Sequence, residues 1–184
     1  MGIIKEGSDN FPKKQKVLLD TNVLYWLTYA SSRVFPRTLS PQKYQLEVYP
    51  RIFEKLLENE NILYFSNYSI SELTSIIARI ESSLDGCSQS YQRKKWLRKD
   101  GRALVLKELK VVKETMESWA MPLDRHDHLD TSGYITRYGQ VYLDGYDIYI
   151  EHEINKNNIK YMLTDDVDFS SVGGLNIITA NRSV

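Results

Sequence analysis

A chain of 184 residues has room for one good core, so a single domain spanning residues 1–184 is the expected organisation. With 42% hydrophobic and 26% charged residues it reads as an ordinary globular chain, and its formal net charge of zero excludes a bulk polycation, so nucleic-acid affinity would need a local basic patch or bound metal. The single Cys87 excludes an internal disulfide, the three histidines lack cysteine partners for a structural zinc site, and no long apolar run or signal-peptide pattern is present, so a cytoplasmic, non-membrane protein is expected.

Residues 1–15 are polar, with Gly2, Gly7 and Pro12, and read as a loose lead-in. Lys16-Val17-Leu18-Leu19-Asp20 then reads as an interior strand that ends on a carboxylate. The apolar, aromatic segment 23–30 suits a short helix, and 31–43 a loop. Ser40-Pro41 opens a second helix by N-cap and first-turn logic, with Leu46, Tyr49, Ile52, Phe53, Leu56 and Leu57 at helical spacing around Pro50. Ile62 to Ser66 reads as a second buried strand. A helix follows over 69–84, where Ser69 and Glu72 have the spacing of a capping box.

After a polar break at 85–91, a helical region is expected over 92–119, fronted by the most basic stretch of the chain. Residues 122–128 read as a loop, 129–138 as a helix, and 144–155 as a further helix. The run 159–164 is a third strand, and 175–178 a last one. Short apolar strands separated by helices predict an α/β fold with a mostly parallel sheet, carrying a helical insertion around 86–125.

Asp20 and Asp166 each follow an apolar strand, and in an open parallel sheet such positions converge outside the carboxyl edge. Glu72, in a first helical turn, and an acid near the start of the 144–155 helix can approach the same place. Carboxylates gathered in this way repel one another unless a cation sits among them. Oxygen donors without sulfur or imidazole favour Mg2+ or Mn2+. One or two such ions could activate a water for in-line attack on a phosphodiester. Each acid alone has a plainer explanation as a helix cap or turn former; the joint placement carries the metal-site reading.

These motifs resemble the PIN-domain family of metal-dependent ribonucleases, in particular the VapC-like toxin subunits of toxin–antitoxin pairs. The resemblance rests on Leu18-Leu19-Asp20-Thr21-Asn22-Val23-Leu24, Ser69-Ile70-Ser71-Glu72-Leu73, Asp147-Ile148-Tyr149-Ile150, and Leu163-Thr164-Asp165-Asp166-Val167-Asp168-Phe169. It implies an α/β/α sandwich and endonucleolytic cleavage of RNA with magnesium or manganese. It places the catalytic, metal-holding acids at Asp20, Glu72, Asp147 and Asp166, with Asp168 as an extra metal ligand or supporting acid and Asn22 and Thr164 as orienting polar residues. Asp144 lies one helical turn from Asp147, so either could face the site; the spacing from Asp147 to Thr164 fits the family better, which would leave Asp144 as a helix N-cap. The resemblance also implies a small antitoxin partner and a homodimer, for which the apolar 23–30 and 46–57 stripes are candidate surfaces.

For RNA, the candidate contacts are Arg93, Lys94, Lys95, Arg98, Lys99 and Arg102, with Trp96 available to stack on an unpaired base. The other reading of that stretch is a solvated helix face. Arg33 and Arg37 are further candidates. The run Asp124-Arg125-His126-Asp127-His128 reads as a polar loop rather than a second metal cluster, and His152 as structural. Two rival functions stand beside the ribonuclease: a structure-selective DNA nuclease using the 86–125 insertion, and a catalytically silent RNA-binding or regulatory module.

Overall fold

The computed structural model describes residues 2–8, 10–36, 38–127 and 129–183. Six parallel strands form one sheet: β1 (Ile3–Lys5), β2 (Lys16–Leu19), β3 (Ile62–Phe65), β4 (Met121–Pro122), β5 (Tyr161–Leu163) and β6 (Asn176–Thr179). Their order across the sheet is β1-β6-β5-β2-β3-β4, which puts β2 and β5 at the centre. The helices are α1 (Thr21–Tyr25), continuing as a π turn over Trp26–Ala30, α2 (Lys43–Glu58), α3 (Ser69–Leu84), α4 (Ser90–Leu97), α5 (Gly101–Glu117), α6 (Thr131–Tyr138) and α7 (Asp147–Lys156).

The strand alternation explains the layering. Val17 and Leu19 point into one core with Leu63, Phe65, Leu163 and Ile178, which α1, α2, α3 and α5 cover. Leu18, Met162 and Ile177 point the other way, into a second core closed by α7 and the segments around it. A parallel sheet covered on both faces is an α/β/α sandwich, and the middles of its inner strands are apolar because they are buried on both sides. No helix among the described residues is long and apolar enough to cross a membrane.

Several boundaries differ from the sequence reading. The lead-in contains β1, which exists because Ile3 to Lys5 pair with β6. The second helix starts at Lys43 rather than at Ser40-Pro41, with Gln42 and Gln45 forming a reciprocal cap. The 92–119 region is two helices, broken at Arg98 to Asp100. Gly101 opens the second of them, because a β-carbon there would run into the Trp96 ring. The 122–128 loop begins in β4, whose two residues pair with Tyr64 and Phe65. Helix α7 starts at Asp147, so Asp144 is not its N-cap; Asp144 instead accepts the Asp147 N–H through its backbone carbonyl, at 2.9 Å.

The candidate partner surfaces are also corrected. In the 23–30 stripe Val23, Leu24, Tyr25, Trp26, Tyr29 and Ala30 are buried, as are Tyr49, Ile52 and Leu56 of the 46–57 stripe. The chain's own core covers most of both, with Leu57 left 41% exposed and Leu27, Leu46 and Phe53 partly buried.

A candidate four-carboxylate site at the sheet edge

Four segments deliver acids to one cavity of about 310 Å3 outside the carboxyl ends of β2 and β5. Asp20 directly follows β2, Asp166 follows β5 after a two-residue step, and Glu72 and Asp147 occupy the first turns of α3 and α7. All four line the cavity, together with Thr21, Asn22, Ser75, Ile76 and Tyr146. Gly145, at φ 47°, makes the turn that starts α7 with Asp147 facing inward.

Asp20 is anchored most firmly. Its Oδ1 accepts the Thr21 N–H at 2.7 Å and its Oδ2 accepts the Thr164 hydroxyl at 2.8 Å. The Thr164 oxygen in turn accepts the Asp166 N–H at 2.9 Å, so one buried hydroxyl ties together the ends of the two central strands. Asp166 Oδ1 accepts the Asp168 N–H at 2.8 Å.

Glu72 does not close a capping box with Ser69. The residue before α3 is Tyr68, which caps with no side chain, and the Thr21 hydroxyl donates to the Glu72 carboxylate while lying 3.0 Å from Ser69 Oγ. A tertiary contact from α1 has taken the group that local spacing assigned to the helix end.

The electrostatics follow from this crowding. Burial pushes the Asp20 carboxyl up to about 7; the Thr164 hydrogen bond opposes the shift, and Glu72 and Asp166 add to it. Asp147 rises to about 8, by burial first and then by the charges of Asp20, Glu72, Asp166 and Asp144. Burial also raises Glu72, against the Thr21 bond, and raises Asp166, against the Asp168 N–H. Without a cation, this cluster holds protons near neutral pH.

As a donor set, these hard oxygens suit a divalent ion such as Mg2+ or Mn2+. As they stand, however, no three His, Cys, Asp or Glu side chains among the described residues are gathered closely enough to hold one. Both Asp20 oxygens, and one oxygen each of Glu72 and Asp166, already accept a hydrogen bond from the protein.

The remaining candidates divide. Asn22 lies exposed on the cavity wall. Asp168 does not line the cavity; it begins a short 3-10 turn and acts on Asp166 through its charge and backbone. Asp165 points elsewhere, accepting from Tyr44, Gln45 and Tyr49. Arg93, Lys94 and Arg102 line a groove of about 750 Å3 between α3 and the α4–α5 pair, joined by Arg79. Ser75 and Ile76 line both this groove and the acidic cavity, so the two are contiguous. Lys95, Arg98 and Lys99 are exposed but do not line the groove, and Trp96 lies half-buried on Gly101 against the core.

Arg33 is not available to a substrate in this arrangement. It pairs with Glu81 at 3.0 Å and with Glu108, and lies over the Tyr29 ring, pinning α5 to α3 and the π turn. His152 bonds to the Asp127 carbonyl at 3.0 Å. Arg37 and His128 lie outside the described residues. Tyr146, Ser75 and Ile76 were missed by sequence reasoning. The only signal for Tyr146 was its place next to Asp147, and Ser75 and Ile76 follow Glu72 by one helical turn.

No family model and no curated protein matches the sequence. Among solved structures, the chain is similar to VapBC2 from Rickettsia felis bound to a DNA fragment from its promoter, with a TM-score of 0.49 and 12% identity over 90% of this chain and 98% of that one.

Proposed function

We propose that the protein is a Mg2+- or Mn2+-dependent endoribonuclease of the PIN type, acting as the toxin of a toxin–antitoxin pair. The observation that carries this reading is the convergence of Asp20, Glu72, Asp147 and Asp166 in one cavity, where burial pushes their carboxyl groups upward. A bound divalent ion would supply an activated water and neutralise charge on the scissile phosphate. The chain's own part is to position the acids. Thr164 and the Thr21 N–H fix Asp20, the Thr21 hydroxyl holds Glu72, and the Asp168 N–H steadies Asp166.

Arg79, Arg93, Lys94 and Arg102 make no ion pair among the described residues and would neutralise phosphates along the contiguous groove. A cytoplasmic homodimer inhibited by a small antitoxin belongs to the same reading. The test is cleavage of unstructured RNA in Mg2+ and Mn2+, with Asp20→Asn alongside. Loss of metal-dependent cleavage in the variant is expected, and full activity would refute the assignment. Preference for DNA flaps would move the substrate to DNA.

A second reading has its own support. Because no three acids form a ready cage, the cavity also suits a silent module that binds RNA without turnover. RNA binding with no cleavage of any RNA offered, whether or not Mn2+ is taken up, would favour it.

A further inference from the structure

Five tyrosine rings run in contact from the acidic cavity to the surface. Tyr146 lies 5.9 Å from Tyr68, Tyr68 lies 5.4 Å from Tyr149, Tyr149 lies 5.2 Å from Tyr134, and Tyr134 lies 6.4 Å from Tyr138, all measured between ring centroids. They come from four places in the chain: the turn before α3, the turn before α7, the first turn of α7, and α6. The middle rings are half-buried, and Tyr68 and Tyr134 pack on the second core. The end rings are open, with Tyr146 at 44% and Tyr138 at 57% exposure. Tyr146 is also a wall of the cavity that holds the four acids, and its hydroxyl lies 3.3 Å from Ser71 Oγ.

An exposed aromatic ring, backed by other rings and seated beside a cluster of carboxylates, solves a specific problem. A strand that places a phosphate among four acids meets repulsion there, and cations on the far groove act only on its neighbouring phosphates. Base stacking adds affinity that does not depend on charge. A ring already held by its neighbours also loses little freedom on binding.

We infer that the open face of Tyr146, backed by the Tyr68–Tyr149–Tyr134 series, is a stacking subsite for the unpaired base adjoining the phosphate at the four-carboxylate cavity. This rests on the nuclease reading for what the cavity does, but not for whether the ring binds a base. A duplexed base has no free face to offer, so the subsite selects unpaired strands. Ser75 and Ile76 are shared between the cavity and the Arg79–Arg93–Lys94–Arg102 groove, and the strand would leave by that side.

The test is equilibrium binding, by fluorescence anisotropy, of labelled single-stranded RNA of roughly ten nucleotides. Ca2+ neutralises the acids, and gels verify that the strand stays intact. Tyr146→Ala is expected to weaken binding between about 5-fold and 150-fold, and Tyr146→Phe to leave it nearly unchanged. A single abasic residue moved along the strand should cost the wild type a similar factor at one position and cost Tyr146→Ala little there, the non-additivity of a direct pair.

Equal binding by wild type and Tyr146→Ala, or a flat abasic scan, overturns the subsite even where Asp20→Asn abolishes cleavage. The nuclease reading then stands alone. Loss of binding in Tyr146→Ala with cleavage unaffected by Asp20→Asn keeps the subsite and removes the nuclease. Should Tyr146→Ala change only self-association in sedimentation, the ring serves a protein contact and the proposal falls.

Discussion

Replacing Asp20 by asparagine separates stability from activity in a way that few substitutions do. Asp20 is 5% exposed and its carboxyl sits at about 7 rather than 3.8, so keeping it ionised above pH 8 costs about 4 kcal/mol in the metal-free fold. Relaxation and the shared charge of the cluster reduce the net to between about 1 and 4 kcal/mol. Asparagine has the same shape. Its oxygen accepts the Thr21 N–H, and its amide donates to the Thr164 oxygen, which has a second lone pair beside the one used by Asp166. The metal-free variant should therefore melt roughly 2–16 °C above wild type at pH 8, at about 2–4 °C per kcal/mol for a chain of this size. At pH 5 both forms are largely uncharged at this position, and the gap should shrink to about a third. Thermal melts in EDTA at the two pH values read this directly. A variant that melts below wild type at pH 8, or a gap independent of pH, would show that Asp20 is not a strained buried charge and would undo the argument.

Four other outcomes follow from the same geometry. Thr164→Val removes the hydroxyl that lowers the Asp20 carboxyl and satisfies the Asp166 N–H, so it should cost about 1–3 kcal/mol and move the acidic limb of any cleavage profile to higher pH, as read by melts and pH–rate curves. For the metal-free wild type, Asp20 and Asp147 are raised above their unfolded values; their contribution is full below about pH 4 and is lost as pH rises through 7 to 8, so the melting point should fall over that window, and saturating Mn2+ should reverse the trend in differential scanning fluorimetry. Arg33→Ala strands Glu81, which is 7% exposed at its side chain, and should cost about 2–3 kcal/mol in urea melts while leaving RNA affinity unchanged. Charge reversal at Arg93, Lys94 and Arg102 should weaken RNA binding and reduce the salt slope by about 0.7 for each phosphate no longer neutralised, measured across a salt series.

The sequence showed the central layers of the fold most clearly where strands are buried on both faces. Val17 to Leu19, Ile62 to Phe65 and Tyr161 to Leu163 are apolar runs, and α3 matches its expected span of 69–84. Strands β1 and β4 were not legible, because three and two residues respectively carry no periodicity and become strands only by pairing with β6 and β3. The glycine at 101 could not be explained from the sequence, because what excludes a side chain there is the Trp96 ring resting on it.

In the site, the four acids could be placed at one edge because strand ends and first helical turns converge there. Their partners could not. The Ser69–Glu72 spacing pointed to a local cap, whereas Thr21, about fifty residues away, takes the carboxylate. Arg33 looked like a free loop cation until Glu81 and Glu108 claimed it. Both errors share a cause: a short-range pattern states what a polar side chain can do locally, and a distant residue offered a better-placed partner.

The most direct measurement is a calorimetric titration of Mn2+ into the protein at pH 7, repeated in buffers of different ionisation enthalpy and with Asp147→Asn. Because Asp20 and Asp147 hold protons near that pH, binding should release about one proton or more per chain, and the variant should bind more weakly with less release. Failure to take up Mn2+ at millimolar concentration, or uptake with no proton released, would contradict the view that these four acids form one cation-holding centre.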